Sequence, residues 1–152
     1  MVGRFERKEI VMTLYNVIRT LQKIALQQPN IRSTGDGDIY NWMNGNDGQE
    51  YGCFFITQGT HSGSLDEDRY NLTLFYVDRL DDTLENNRLS IQSIGRECLD
   101  NIIRTFVEEY ELDYPDVNYT PFTQKFIDET AGMYATLTIT IEKGICEEYY
   151  GE

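Results

Sequence analysis

The sequence has 152 residues, 40% of them hydrophobic and 26% charged, which is the size and balance of one globular domain and excludes collagen-like, low-complexity and wholly disordered chains. A chain of this length buries enough surface to fold without a metal or disulfide staple. Thirteen Lys and Arg against 26 Asp and Glu leave a net charge of −13, and the basic residues are scattered singly apart from Arg4, Arg7 and Lys8. Duplex DNA is gripped by clustered cations that release its counterions, so a nucleic-acid-binding role is not expected. The three basic residues near the start read as a solvated N-terminal segment.

From Lys8 to Gln27, apolar residues recur at the spacing of one helix face, through Ile10, Val11, Leu14, Val17, Ile18, Leu21, Ile24 and Ala25. Pro29 ends this first helix, because the residue before a proline is pushed out of the α region. The glycine-rich stretch from Asn30 to Ser64 holds two segments that look extended, Asp38 to Met43 and Tyr51 to Gln58. Between them, Asn44-Gly45-Asn46-Asp47-Gly48 supplies residues that accept positive φ, which predicts a β-hairpin. Gly59 to Asp68 reads as an exposed, mobile loop.

Arg69 to Leu80 alternates as a strand. Tyr70, Leu72, Leu74 and Tyr76 make one apolar face, while Asn71, Thr73, Phe75 and Val77 make a mixed one. Asp81 to Asn87 supplies turn and cap residues before a second helix. That helix carries the stripe Ile91, Ile94, Cys98, Leu99, Ile102, Ile103 and Phe106, with Tyr110 extending it, and breaks at Leu112 to Pro115. Gly95 lies on the stripe at a cost of about 1 kcal/mol relative to alanine, which points to another element packed closely against it. Val117 to Phe126 reads as extended and Asp128 to Gly132 as a turn. In Tyr134 to Ile141, Ala135, Leu137, Ile139 and Ile141 face inward and Thr136, Thr138 and Thr140 outward.

Strands that follow one another without intervening helices predict an α+β fold, a mostly antiparallel sheet with two amphipathic helices packed on one face. The expected organisation is a single domain over residues 1–152, frayed at about 1–7 and ending in an acidic tail at about 147–152.

Chemistry finds little purchase. His61 is the sole histidine and sits in the Gly59 to Asp68 loop beside Ser62 and Ser64, where a solvated side chain is expected rather than a catalytic base. Cys53, Cys98 and Cys146 form no CxxC pair and read as free thiols of a reducing compartment. Asp36, Asp38, Asn44, Asn46, Asp47 and Glu50 cluster near glycines, but aligning Gly48 with the glycine of a calcium loop puts Met43 where an Asp ligand is required. Gly35-Asp36-Gly37-Asp38 places carboxylates where a phosphate loop presents amides. No cofactor, no metal site and no catalytic residue is assigned. Asp78 and Arg79, at a strand end, read as a structural ion pair or a subunit contact. Tyr is favoured at interfaces, and Tyr119, Tyr134, Tyr149 and Tyr150, beside turns or near the terminus, are the candidate partner contacts, with packing inside the subunit as the other reading. No apolar run approaches a membrane span, and Met1 to Ile10 lacks a signal-peptide core, so a soluble protein made in the cytoplasm is expected.

One series of segments is more specific. Ser33-Thr34-Gly35-Asp36-Gly37-Asp38-Ile39-Tyr40 follows the first helix. Then come Tyr76-Val77-Asp78-Arg79-Leu80, Asn86-Asn87, Ile91-Gln92-Ser93-Ile94-Gly95, and Tyr119-Thr120-Pro121-Phe122-Thr123-Gln124-Lys125-Phe126 with Ala131-Gly132. Their order resembles the neck ring or tail-terminator-like proteins of tailed bacteriophages infecting Bacteroidetes, including crAss-like phages, over roughly Lys8 to Ile145.

The resemblance implies a non-enzymatic virion structural protein, assembled in the host cytoplasm, that forms a six-fold or twelve-fold homo-oligomeric ring in the head–tail connector. Its implied partners are itself, the portal and adjacent neck and tail proteins, with DNA passing through and no membrane. A charge of −13 on every copy suits a passage that must not bind DNA, and sheet edges would serve to join neighbours. The second reading is a cytoplasmic protein-binding adaptor or assembly factor, and the third a small carboxylate enzyme.

Overall fold

A computed structural model describes residues 12–45, 50–81, 83, 87–126 and 128–143. Helix α1, Leu14–Leu26, opens where the Thr13 hydroxyl accepts the Asn16 backbone N–H at 3.2 Å. Val17, Leu21 and Ala25 on its inner face are fully buried. The predicted start at Lys8, with Ile10 and Val11, lies outside the described residues.

The predicted hairpin is replaced by a β-α-β unit. Strand β1 is Ser33–Asp36, helix α2 is Ile39–Gly45, and strand β2 is Cys53–Gln58, parallel to β1. The segment read as extended is therefore helical. Asp38 is the cause: its Oδ1 accepts the N–H groups of Tyr40 at 2.9 Å and Asn41 at 3.3 Å, an N-cap that starts a turn of helix. Ile39 and Met43, four residues apart, are then buried together against Cys53, Phe55, Val77 and Phe126. Gly35 is needed in β1, because a Cβ there would stand 2.6 Å from the Trp42 ring.

The Gly59 to Asp68 loop is itself a short hairpin, with β3, Ser62–Gly63, paired to β4, Glu67–Arg79. It is pinned at Gly59 N–H to Asn71 O (2.8 Å), Ser64 N–H to Glu67 O (2.8 Å) and Lys143 N–H to Asp66 O (2.7 Å). Helix α3, Asn87–Glu109, buries the predicted stripe. At Gly95 a Cβ would lie 2.8 Å from Tyr76 Cδ2 and 3.2 Å from Met133 Cβ, so the sheet is the element that packs closely there. The helix ends with Glu111 at φ 56° and the Leu112 N–H bonded to Val107 O at 3.0 Å, a left-handed cap usually given to glycine. Strands β5, Asn118–Lys125, and β6, Glu129–Glu142, complete the chain; the reversal expected over Asp128 to Gly132 is tighter, closing between Phe126 and Asp128.

The six-stranded sheet has the order β1-β2-β4-β6-β5, with β3 on β4, and only the β1–β2 pair is parallel. The architecture is thus α+β, mostly antiparallel. Helices α1 and α3 cover one face, where Phe54, Ile56, Leu72, Leu74, Tyr76, Ala135, Leu137 and Ile139 are buried. Helix α2 covers the Val77 end of the other face, and Phe75 and Phe122 pack, partly buried, against the same cluster. Neither outer edge invites another strand: β1 has four residues, and β5 carries exposed Pro121, which offers no N–H.

Candidate interaction surface

His61 has both ring nitrogens engaged. Nδ1 accepts the Asn71 backbone N–H at 3.1 Å and Nε2 meets Gln58 Oε1 at 3.0 Å, so the ring ties the β3 hairpin to the sheet. The nearby Ser62 hydroxyl accepts from Arg69 Nε at 3.1 Å, not from His61. Cys53 and Cys98 are free and buried, and burial pushes the Cys53 thiol up to about 11, an unreactive state at neutral pH. Cys146 lies outside the described residues. Asp36 pairs with Arg19 at 3.1 Å and Asp38 caps α2, so neither is left for a calcium loop. Among the described residues, no group of three or more His, Cys, Asp and Glu is arranged to hold a metal.

Asp78 and Arg79 do not pair through their side chains. Asp78 Oδ1 accepts the Arg79 backbone N–H at 2.8 Å, while the Arg79 guanidinium reaches 4.0 Å from Asp128 in the β5–β6 turn. Asp128 also accepts the Tyr51 hydroxyl at 2.8 Å; burial first, then this carboxylate, pushes Tyr51 up to about 12. The pair closes one end of the sheet.

The candidate tyrosines separate by strand parity. Tyr119 pairs with Ala135 on the helix-covered face. The Arg96 guanidinium lies 3.7 Å from its ring centroid, and its hydroxyl donates to Asp100 at 3.4 Å. Asp100 also accepts from Tyr114 at 2.9 Å and Arg104 at 2.7 Å, so Tyr119 belongs to a network tying α3 to β5 inside the subunit. Tyr134 pairs with Phe75 on the opposite face. Tyr149 and Tyr150 lie outside the described residues.

Tyr134, Phe75 and Phe122 form a three-ring cluster, with centroids 5.5 Å apart for Phe75–Tyr134, 6.2 Å for Phe75–Phe122 and 6.1 Å for Phe122–Tyr134. All three rings stay partly exposed. Gly132 lies beside the cluster, where a Cβ would stand 1.9 Å from the Tyr76 backbone O and 2.8 Å from Phe122 Cζ. From the cluster the open face continues through Thr73, Thr136, Asn71 and Thr138, half-exposed. These residues line a shallow groove of about 470 Å³, with Asn118 and the acidic Asp116 at its rim.

No open-face position carries a charge between Arg69 and Arg79 on β4, between Thr130 and Glu142 on β6, or from Asn118 to Gln124 on β5. In a chain of net charge −13 this is a distinctive surface. The outer side of α3, by contrast, exposes Arg88, Arg96, Glu97, Arg104, Glu108 and Glu109. The sequence signal for the open face is the mixed set Asn71, Thr73, Phe75 and Val77; Phe122, in a strand of Thr and Tyr, is the member that alternation alone leaves unassigned.

Among the described residues, no helix is long and apolar enough to cross a membrane. No protein-family model matches the chain, and a search of curated proteins finds no relative.

Proposed function

We propose that the protein is an architectural subunit of a tailed-phage head–tail connector, a neck ring or tail terminator that joins portal to tail and lets DNA pass. One observation carries this reading: the sheet has helices α1 and α3 on one face and, beyond α2, an uncharged and partly aromatic opposite face that none of the described residues covers. A two-layer subunit with one such face is suited to association. The charge of −13 supports the other half of the reading, because a ring of such subunits repels phosphates and leaves a passing polyanion unbound. In this reading copies close into a six-fold or twelve-fold ring, contact the portal and neighbouring neck and tail proteins, and reside in the virion after assembly in the host cytoplasm.

Electron microscopy of the purified protein tests the reading. Closed rings of six or twelve copies with an open centre, and no retention of duplex DNA at physiological salt, are the expected result. A protein that stays monomeric at high concentration while forming a one-to-one complex with a different protein would instead make it an adaptor or assembly factor.

A further inference from the structure

We propose that His61 is an acid-sensitive latch: its neutral ring fastens the neck of the β3 hairpin to β4, and protonation of the ring releases it. The proposal stands apart from the ring reading and needs only the geometry of the neck.

Strand β2 leaves β4 at Gln58, and β3 takes up the same edge again at Ser62, opposite Arg69. Between them Gly59, Thr60 and His61 face only Tyr70 and Asn71, so the edge bulges. The bulge is fastened through Asn71. Its backbone O accepts the Gly59 N–H at 2.8 Å, its Nδ2 donates to Thr60 O, and its backbone N–H donates to His61 Nδ1 at 3.1 Å. Asn71 Oδ1 accepts the Thr138 hydroxyl, which carries the fastening on to β6. An imidazole nitrogen thus stands where a continuous strand would offer a carbonyl.

A carbonyl does not take up a proton near neutral pH, and an imidazole does. A backbone N–H can only donate, so Nδ1 is bare, and the proton of the neutral ring sits on Nε2, where Gln58 Oε1 accepts it at 3.0 Å. A second proton can go only to Nδ1, where it meets the Asn71 N–H donor to donor. That bond is lost and the ring turns away. The open neck therefore binds one proton more than the fastened neck, so fastening strengthens as the pH rises and weakens as it falls through the range in which imidazoles charge. The Tyr70 ring lies T-shaped to His61 at 5.5 Å. Around the neck, Arg69 donates to Ser62 and pairs with Glu67, Asp68 pairs with Lys143 at 3.5 Å, and Asp116 borders the groove with Gly59 and Asn71. Lys143 holds the far end of the hairpin, through its N–H to Asp66 O at 2.7 Å and its Nζ to Ser64 O at 2.9 Å, so His61 controls the neck and not the tip.

Nuclear magnetic resonance of the full chain tests this. At about pH 8 the ring nitrogens of His61 should report the Nε2–H tautomer. Acidification to about pH 5.5 should lower the protection of the Asn71 amide against hydrogen exchange, corrected for the intrinsic rate, by about tenfold, the worth of one hydrogen bond, while Leu74 in the middle of β4 keeps its protection. In His61→Gln an amide oxygen can take the same N–H at either pH and the charged groups around the neck are unchanged, so the protection of Asn71 should no longer depend on pH. An Nδ1–H tautomer at the higher pH, an Asn71 amide equally protected at both, or the same loss in the His61→Gln protein overturns the proposal. The first two are read on the unaltered protein, so a variant that failed to fold would not shelter it.

Discussion

The two faces of the sheet are made from alternate residues of the same strands, yet they meet different surroundings. On β4, Leu72, Leu74 and Tyr76 are sealed beneath α1 and α3, while Asn71, Thr73 and Phe75 between them remain half-exposed. The sealed face carries the folding free energy, since apolar area removed from water is the dominant favourable contribution. On the other face, the end under α2 also buries Cys53, Phe55 and Val77, whereas the half-exposed stretch from Asn71 to Phe75 removes less apolar area from water. On the proposed reading folding and association would draw on alternate residues of one strand, and substitutions on the two faces should separate them.

The largest effect is expected on the sealed side. Phe106→Ala, at a fully buried position of α3, should cost about 3–5 kcal/mol in a denaturant titration of the dilute protein. Gly95→Ala should destabilise by about 1–3 kcal/mol, even though alanine gains about 1 kcal/mol of helix propensity, because its Cβ would press into Tyr76 and Met133. If Gly95→Ala instead raised the melting temperature, the close approach of α3 to the sheet would be wrong. Glu111→Gly acts oppositely. It relieves the left-handed backbone and removes a carboxylate from the negative end of α3, so a gain of about 0.5–1 kcal/mol is expected. On the open face, Thr136→Ala should change the stability of the dilute subunit by less than about 0.5 kcal/mol.

The smallest effect concerns pH. Desolvation pushes the Asp100 carboxyl up, but hydrogen bonds from Arg104 and Tyr114 and the nearby guanidinium charges outweigh it and hold the group below its ordinary value. Its contribution is complete above about pH 4 and is lost as the pH falls through the depressed folded value. Asp100→Asn should therefore flatten the acid side of the stability profile, and an unchanged profile would remove Asp100 from the network.

How much of this was legible in the sequence depended on element length. The α3 stripe and the β6 alternation repeat often enough for their periods to be read, and the packing at Gly95 followed from a glycine placed at a loss on a helix face. The β1-α2-β2 unit is hidden in the sequence because α2 is seven residues long and offers only the Ile39–Met43 pair as helical signal. β1 consists of Ser, Thr, Gly and Asp, residues that look like a loop and become a strand only by lying against β2. Tyr119 and Tyr134 looked alike as tyrosines beside turns. Register alone separates them, Tyr119 opposite Ala135 under the helices and Tyr134 opposite Phe75 in the open, and register is a property of paired strands.

Sedimentation velocity over a range of protein concentration and ionic strength tests the central claim most directly. Association of acidic copies into a ring predicts a discrete six- or twelve-copy species that assembles more readily as salt screens their mutual repulsion. A monomer under every condition, or an assembly that salt takes apart, would contradict it.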